Sequence, residues 1–513
     1  MNTIMELFLI TCYLLNLSAT GALAVLGYPS GITLQLLETR YSGPRSRSKS
    51  SGSPLLLYLT QRGGGGGGAE GKENNVGNNN PAAGLHNTSA CTENENINHT
   101  ELPSDYPRRK DVMVALKAVR QACCITQALQ PMGPPLTNST STSRSCSATS
   151  RSSSNGGNFY VANSIATVQK ADLSPVTVAD YAVQSLILHT LQKAFPEDGF
   201  IAEEDSDALR ADEILCQKVV QAMIGSSLTR DDTLNSIDLG KSYTTWTTRT
   251  TTANNNNNNP RPRRVWCLDP IDGTKGFLRG KRSGGQYAIA LSLVEDGVPT
   301  VGILGCPNLP TSDDRDLAWD DNETDENNTD KRGCIFVASR GGGTYQLPLL
   351  PLSRSVTGPL SVTPNDASTR PISQGRFCIG VEKSFSDALG QTDVMAKILH
   401  GRLDKDNTIL YAKRMDSQAK HGVMARGGAE WYVRLPKSGY REYIWDHAAG
   451  NVVIEEAGGI MTDTQGRSID FSLGPQLDER VNGILMSSGG TYHTALVKAF
   501  AQQEKERGGE EWL

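Results

Sequence analysis

The 513-residue sequence lacks several features that would identify common functional classes. Its net charge is −5, with 50 Lys and Arg against 55 Asp and Glu, so it has no basic surplus of the kind that nucleic-acid binders carry. Its ten cysteines form no Cys-x-x-Cys pair, which argues against zinc modules and a dense disulfide framework. No Gly-x-Gly-x-x-Gly follows a strand pattern, and there is no P-loop or nucleophile elbow. Nucleic acid is therefore not an expected partner.

Several stretches also have too little apolar content to fold. They include Gly63–Gly68, Asn254–Asn259 and the Ser/Thr/Asn-rich residues 137–158. We predict a targeting and low-complexity segment (1–104), an N-terminal α+β subdomain with a metal site (105–345) and a C-terminal α/β subdomain that completes the substrate site (346–513). Insertions at 132–158, 225–262 and 312–332 interrupt the second segment, and we expect them to be surface loops.

The N-terminus has the composition of a targeting signal. Residues 7–37 contain no charge, and residues 39–69 contain five basic residues and no acid, with many Ser and Gly. A signal-like segment followed by a transit-like segment resembles bipartite plastid targeting, so we expect a plastid location. A membrane anchor over Leu7–Gly27, secretion and a cytoplasmic location remain alternatives.

One stretch carries the strongest chemical signal. The apolar residues Val265–Leu268 have strand character and lead into Asp269 and Asp272, with Pro270 and Gly273 forming a turn. Because Pro fixes φ and Gly permits positive φ, this turn can direct both carboxylates to one point. Carboxylate, carbonyl and hydroxyl oxygens are hard ligands that suit Mg²⁺ rather than Zn²⁺. The alternative is an ordinary Asp-Pro surface turn.

Other acids occupy the positions that a metal site would need. Glu203 follows a short strand at Gly199–Ala202, Asp446 stands at a predicted helix start, and Asp180 lies three residues after Thr177, which is capping-box spacing. Taken singly, such acids are more often helix caps or solvated loop residues. Together they could form a site for several metal ions. Helices and strands that mix without strict βαβ alternation predict a layered α/β sandwich.

Extended motifs around these acids are similar to one family. They are Lys170-x-Asp-x-Ser-Pro-Val-Thr177-x-x-Asp180, Glu203-Glu204, Asp269-Pro-Ile-Asp272-Gly-Thr274-Lys-Gly-Phe-Leu-Arg279-Gly280, Gly305-Cys-Pro-Asn-Leu-Pro310, Asp416-Ser417-Gln-Ala-Lys420 and Trp445-Asp446-His-Ala-Ala-Gly450. In this order they resemble the inositol monophosphatase superfamily, and within it the fungal and plant 3′(2′),5′-bisphosphate nucleotidases. The resemblance implies an α/β fold of alternating α and β layers in two subdomains.

The resemblance also implies a role for each matching residue. Two or three Mg²⁺ ions would be held by Glu203, Asp269, the Ile271 carbonyl, Asp272 and Asp446. Asp180 and Thr274 would position and deprotonate the attacking water. The substrate would contact Gly273, Thr274, Ser417, Lys420, Arg434 and Asp446.

The function implied is a lithium-sensitive, Mg²⁺-dependent phosphatase linked to sulfur metabolism. Its substrates would be adenosine 3′,5′-bisphosphate and also 3′-phosphoadenylyl sulfate. The alternative is an inositol mono- or polyphosphate 1-phosphatase. A catalytically inactive nucleotide sensor is disfavoured because every metal and base position is filled. Two departures bear on substrate choice: Phe385 stands where the family usually has a substrate-contacting His, and Lys281–Gly285 is an extra loop. We expect a monomer or weak dimer with no stable membrane partner.

Overall fold

The computed structural model describes most of the chain after residue 101. The described residues are 102–133, 167–169, 175–223, 226–242, 264–313, 332–349, 356–362, 371–381, 399, 412–436 and 439–506, with three short strands before residue 62. They fall into two units, Met1–Ala82 and Ala83–Leu513. The first unit contains an antiparallel sheet of β1 (Val25–Gly27), β2 (Ile32–Leu36) and β3 (Leu57–Gln61). The signal-like residues before Val25 lie outside the described residues.

The second unit contains two larger sheets. Its strands are β4 (Thr167–Gln169), β5 (Pro175–Thr177), β6 (Gly199–Ala202), β7 (Arg264–Asp272), β8 (Ala288–Glu295), β9 (Val298–Pro310), β10 (Arg332–Ser339), β11 (Gly343–Pro348), β12 (Phe377–Ile379), β13 (Ala412–Arg414), β14 (Trp431–Arg434), β15 (Ile460–Asp463) and β16 (Ile484–Ser487). Its helices are α1 (Arg109–Leu129), α2 (Val178–Ala194), α3 (Asp207–Ala211), α4 (Glu213–Ala222), α5 (Arg230–Asp238), α6 (Thr274–Arg279), α7 (Ala419–Ala425), α8 (Ala448–Glu456) and α9 (Gly490–Glu506).

Alternating apolar residues bury both faces of the six-stranded sheet, whose order is β11-β10-β9-β8-β7-β6. On β7, Trp266 and Leu268 face a core that includes α1 and α2, whereas Val265 and Cys267 face a core that includes α7 and α8. Successive side chains on a strand point to opposite faces, so one run of apolar residues can supply two cores.

The five-stranded sheet, in the order β13-β12-β14-β16-β15, continues the layers. Tyr432 on β14 packs in the core shared with α7 and α8, while Trp431 and Val433 pack against Leu496 of α9. The order of layers is therefore helix, sheet, helix, sheet, helix. This confirms the expected fold of alternating α and β layers, whereas the subdomain boundary at 345/346 stays a prediction.

The structure differs from the sequence analysis at one expected loop. Residues 230–241, expected within the insertion at 225–262, form α5 and a 3-10 turn at Leu239–Lys241. Thr229 and Asp232 close a capping box, and Leu234 and Ile237 are buried with residues of α2 and α4. The sequence did not indicate this helix because it lies beside a low-complexity stretch and its apolar pattern is too short to stand out. The described parts of the other two insertions are residues 132–133, 312–313 and 332.

Among the described residues, α1 has the length and composition of a membrane span. Half of it is buried, and Val112, Leu116 and Val119 pack in the core between the six-stranded sheet and α2. The anchor alternative at Leu7–Gly27 lies almost wholly outside the described residues.

Candidate active site

Two parallel strands bring the first two acids together. β6 and β7 are parallel, with Ala202 opposite Leu268, so Glu203 and Asp269 are neighbours at the point where β6 ends. The backbone N–H of Glu203 donates to the Leu268 carbonyl at 3.3 Å, which continues the pairing by one residue. Carboxyl ends of parallel strands commonly carry functional groups because the loops that follow them meet there.

A bulge then directs the next acid to the same place. The pairing of β7 with β8 shifts register between Asp269 and Asp272, and Gly273 has φ of 87°. A Cβ on Gly273 would also lie 2.9 Å from Cβ of Ser417, so both conformation and space favour glycine there. Carboxylate oxygens of Asp269, Asp272 and Asp446 all lie within 4.8 Å of one another. The structure thus brings together three predicted metal ligands from two distant segments.

The acids raise one another's pKa values. Burial raises the pKa of Asp269 well above its usual range, and the negative charges of Glu203, Asp272 and Asp446 raise it further. The pKa of Asp446 is also well above its usual range because of burial, although Arg434 opposes the shift. Burial raises the pKa of Asp272 as well, with Lys420 and the Gln418 N–H acting in the opposite direction. Without a cation, this cluster holds negative charge at a cost in free energy.

The donor set fits Mg²⁺. All the side chains are carboxylates, and among the described residues none forms a hydrogen bond with the buried Asp269 Oδ1. The Ile271 carbonyl accepts a 3.2 Å hydrogen bond from Thr274 Oγ1 and retains a second lone pair. Hard oxygen ligands without Cys or His favour Mg²⁺ over Zn²⁺. Glu203, Asp269, Ile271, Asp272 and Asp446 could therefore hold such ions.

The predicted base, Asp180, lies in the first turn of α2. It is buried, and its Oδ2 accepts hydrogen bonds from the Thr177 backbone N–H at 2.8 Å and from Thr177 Oγ1 at 2.5 Å. The expected capping box is therefore present. The neighbouring Ala179 packs with Ile271 in one apolar cluster, which brings the start of α2 against the segment that carries Asp269 and Asp272. The catalytic roles of Asp180 and Thr274 stay predictions.

The predicted phosphate-binding residues follow β13. Ser417 has φ of 67°, a left-handed conformation that is uncommon for a non-glycine residue. Its Oγ accepts from the Ala419 N–H at 3.1 Å. Lys420 is 5 % exposed, donates to the Met415 carbonyl at 3.3 Å, and lies over the Tyr432 ring at 5.1 Å. This ammonium group is held in place rather than extended into solvent.

Arg434 is held by a residue that the sequence analysis missed. Its Nε contacts both Glu442 carboxylate oxygens at 2.9 Å, and its Nη2 lies 3.7 Å from Asp446 Oδ2. Glu442 also contacts His447 Nε2 at 3.1 Å. Burial alone would raise the pKa of Glu442, but Arg434 and His447 lower it to about 2. Glu442 shares no periodicity with Arg434, so no sequence signal marked it as a partner.

A second missed contact joins two of the motifs. Arg279 Nη1 donates to Asp416 Oδ2 at 2.6 Å, and a Cβ on Gly276 would lie 3.0 Å from that same oxygen. The pair therefore fastens α6 to the segment that precedes Ser417. The extra loop follows Arg279 directly: backbone N–H groups of Lys281 and Arg282 donate to the carbonyls of residues 131 and 132. Phe385 lies outside the described residues.

Comparison with known proteins connects this geometry to a family. The model of the inositol monophosphatase family matches residues 157–505. The chain belongs to the inositol monophosphatase family. This confirms the resemblance drawn from the motifs. It also accounts for the arrangement of layers, since the family match spans both sheets.

Named relatives within the family narrow the comparison. A 3′(2′),5′-bisphosphate nucleotidase of Emericella nidulans is 38 % identical over 326 residues, covering 61 % of this chain and 84 % of the relative. A protein of the same name from Schizosaccharomyces pombe is 34 % identical over 350 residues, covering 66 % and 87 %. The 3′,5′-bisphosphate nucleotidase 2 of Arabidopsis thaliana is 33 % identical over 335 residues, covering 62 % and 84 %. This member of the inositol monophosphatase family is a phosphoric monoester hydrolase.

Proposed function

We propose that the chain is a Mg²⁺-dependent phosphatase that removes the 3′-phosphate of adenosine 3′,5′-bisphosphate, giving AMP and phosphate. We extend the proposal to 3′-phosphoadenylyl sulfate, which carries the same 3′-phosphate. The observation that carries the proposal is the cluster of Asp269, Asp272 and Asp446 beside Lys420 and Arg434. Acids that raise one another's pKa values, and so suit a metal ion, lie next to cations that suit a phosphate.

Different residues of the chain would have different roles in the hydrolysis. Two or three Mg²⁺ ions bound by the acids would activate water and polarise the phosphate. Asp180 and Thr274 would orient the water and accept its proton as it attacks phosphorus. The bond from phosphorus to the 3′-oxygen then breaks, and that oxygen takes a proton. Because the Thr274 hydroxyl donates to the Ile271 carbonyl, its oxygen lone pairs are oriented away from that carbonyl.

The cationic residues would hold the substrate. The guanidinium group of Arg434 is planar, and Glu442 binds its Nε. Its Nη2, which lies near Asp446, would bind a phosphate oxygen of the substrate. Lys420 supplies a buried point charge, and Ser417 a hydroxyl at the turn beside Gly273. Binding energy from these contacts would position the scissile phosphate over the acids.

Substrate class rests on the contact between two motifs. The Arg279–Asp416 pair joins the Phe-Leu-Arg-Gly extension to the Asp-Ser-Gln-Ala-Lys segment, the two features that favour a nucleotide over an inositol ester. The named relatives support the same choice, since each carries the name of a bisphosphate nucleotidase.

Steady-state assays of the purified protein test the proposal. Adenosine 3′,5′-bisphosphate, 3′-phosphoadenylyl sulfate and inositol 1-phosphate are compared with Mg²⁺, with a chelator, and with Mg²⁺ plus Li⁺. We expect the largest kcat/KM with the nucleotide bisphosphate, no release with chelator, and inhibition by Li⁺. A larger kcat/KM with inositol 1-phosphate would make the chain an inositol phosphatase instead.

We further propose that residues 1–104 deliver the protein to a plastid and that the mature enzyme is a monomer or weak dimer. The composition of residues 7–69 supports the first proposal. A fluorescent fusion of residues 1–104 would label plastids, and label of the cell surface or cytosol would refute it. Light scattering coupled to gel filtration tests the second proposal, which a stable higher oligomer would refute.

A further inference from the structure

One buried residue bonds to both halves of the acidic cluster, through its backbone on one side and through its side chain on the other. Gln418 is 2 % exposed and lies between the strained Ser417 and the start of α7. Its backbone N–H donates to Asp272 Oδ2, so the turn that bears Ser417 is fastened directly to one predicted metal ligand. Nothing in the roles given above assigns a function to Gln418.

The Gln418 side chain reaches the segment of a second predicted ligand. Its Nε2 donates to the Trp445 carbonyl at 2.9 Å, and its Oε1 accepts from the Gly450 backbone N–H at 3.1 Å. Trp445 immediately precedes Asp446, and Gly450 lies in the first turn of α8. The amide therefore spans the chain on both sides of Asp446, with both of its polar ends satisfied.

The neighbouring backbone gives these contacts little freedom to shift. A Cβ on Gly450 would lie 1.8 Å from His421 Nδ1, so α8 approaches α7 as closely as a glycine permits. On the other side, Gly273 approaches Ser417 with the same lack of space. Close packing on both sides fixes the gap between the two acidic segments, and the Gln418 side chain has the length that bridges this gap with both hydrogen bonds made.

We propose that Gln418 is a positioning residue that fixes the separation of the Asp272 and Asp446 carboxylates and thereby the Mg²⁺ affinity of the site. The inference rests on the proposed Mg²⁺-dependent function. Asp272 and Asp446 are far apart in sequence, and in each of their segments Gln418 bonds to the acid itself or to the residue beside it. Groups that orient metal ligands in this way typically contribute about 10- to 100-fold in metal affinity.

Two variants and one control separate positioning from general stability. Gln418→Met keeps the length and loses both hydrogen bonds, whereas Gln418→Asn keeps the amide but is one carbon shorter. Gln130→Met is the matched control, because Gln130 is also buried, donates to the Phe277 carbonyl and accepts from Asn308 Nδ2. For each full-length protein, calorimetry gives the Mg²⁺ dissociation constant, thermal unfolding gives stability, and kinetics give kcat and KM.

We expect Gln418→Met to weaken Mg²⁺ binding about tenfold or more, with kcat rising toward the wild-type value as Mg²⁺ is increased. KM for the nucleotide should change less than the Mg²⁺ requirement. Gln418→Asn should show the same pattern, and it decides the question if Gln418→Met does not fold. Gln130→Met should lower the unfolding temperature while its Mg²⁺ affinity stays within twofold of wild type.

Unchanged Mg²⁺ affinity in the folded Gln418 variants would overturn the positioning role while leaving the proposed phosphatase function intact. A Mg²⁺ affinity that falls equally in Gln130→Met would also overturn it, since the effect would then follow stability alone. Failure of the wild-type protein to bind Mg²⁺ would remove the proposed function and this inference together.

Discussion

Two neighbouring carboxyl groups in this molecule, Asp269 and Glu442, are both buried, and their pKa values are shifted in opposite directions. Burial and three acidic neighbours raise the pKa of Asp269 well above its usual range. Glu442 is just as buried, yet Arg434 and His447 hold its pKa at about 2. The difference is the neighbouring charge: Arg434 and His447 contact Glu442, whereas the charges that act on Asp269 are those of three other acids. Burial by itself therefore does not decide what a carboxyl group does here.

Asp446 lies where the two groups meet. Its pKa is raised by burial, while Arg434, 3.7 Å away, opposes the shift. Arg434 is already engaged by Glu442, so it compensates Asp446 only in part. Glu442 is compensated within the chain by Arg434 and His447, whereas the proposed Mg²⁺ ions would compensate the acidic cluster around Asp269. This contrast predicts opposite responses to neutralising one acid from each group.

The largest effect is expected for Asp269→Asn. Loss of a predicted ligand should reduce Mg²⁺-dependent phosphate release by more than the ~100-fold typical of a residue behind the ligands. The metal-free protein should become more stable by about 1 kcal/mol or more, because a carboxyl with a raised pKa costs free energy when it is ionised. Phosphate-release assays and thermal unfolding with a chelator measure both.

Asp463→Asn is the matched control for that result. Asp463 is 2 % exposed, but it has a partner of its own, with Oδ2 2.6 Å from Arg467 Nε. This variant should lose stability and keep its Mg²⁺ response. Retained activity in Asp269→Asn would contradict the metal assignment, and a loss of metal-free stability would contradict the view of the cluster as uncompensated.

Glu442→Gln tests the other side of the contrast. Glu442 is fully buried, and removing its charge leaves Arg434, whose side chain is 30 % exposed, without its main partner. We therefore expect a loss of about 3 kcal/mol in the free energy of unfolding, with or without Mg²⁺. KM for the nucleotide should rise as the guanidinium loses its orientation. Denaturant unfolding and steady-state kinetics measure the two effects.

Glu455→Gln provides the comparison for Glu442→Gln. Glu455 accepts from Arg340 Nη1 at 2.6 Å, but both side chains are about 30 % exposed. We expect a change below about 1 kcal/mol there. The two arginines are about equally exposed, so equal losses in the two variants would mean that burial of the carboxylate does not distinguish the two ion pairs.

A smaller effect on substrate binding is expected at the contact between Arg279 of α6 and Asp416, which precedes Ser417. Arg279→Met removes the guanidinium that binds Asp416, so Ser417 loses one of its supports. We expect KM for the nucleotide to rise on the order of tenfold, with a modest loss of stability. A double-mutant cycle with Asp416→Asn should give a coupling of about 1 kcal/mol. Additive effects of the two substitutions would show that the pair does not act as a unit.

The sequence predicted the candidate metal ligands better than the residues that position them. Glu203 follows the apolar strand β6, and Asp269 and Asp272 follow the apolar residues Val265–Leu268, a pattern that can be recognised locally although β7 extends as far as Asp272. The capping box of Thr177 and Asp180 was likewise predictable from spacing. The layered fold followed from the mixture of elements, although Asp446 proved to end a 3-10 turn at Ile444–Asp446 rather than to begin α8.

What the sequence could not reveal are the contacts between residues far apart in the chain. Arg279 and Asp416 are separated by 137 positions and Asp272 and Gln418 by 146, and no periodicity relates such pairs. The partner of Arg434 is only eight residues away, but it lies beyond β14, just before the 3-10 turn at Ile444–Asp446, where no strand pattern places it opposite Arg434. The chain's ligands could thus be named from the sequence, whereas the residues that hold them in place required the structure.

The smallest effect concerns a buried ionisable group outside both clusters. His493 contacts Ser487 Oγ through Nδ1 at 3.1 Å and Thr462 Oγ1 through Nε2 at 2.9 Å, and burial lowers its pKa below the ordinary 6.5. Below pH 6.5 the unfolded chain binds a proton that the folded chain does not, so this group removes stability as the pH falls. The acids around Asp269 act in the opposite sense, because in the metal-free protein their raised pKa values remove stability as the pH rises.

His493→Gln should isolate the histidine contribution. Between pH 7.5 and 5.5, without Mg²⁺, the free energy of unfolding of the wild type should fall relative to that of the variant by about 1 kcal/mol. Chemical unfolding at the two pH values measures this difference, and all other titrating groups cancel in the comparison. Parallel pH dependence in the two proteins would mean that His493 takes up its proton without leaving its hydrogen bonds. Burial would then be too weak to lower the pKa of His493. The opposite pKa shifts of Asp269 and Glu442 would likewise have to be attributed to neighbouring charges rather than to burial.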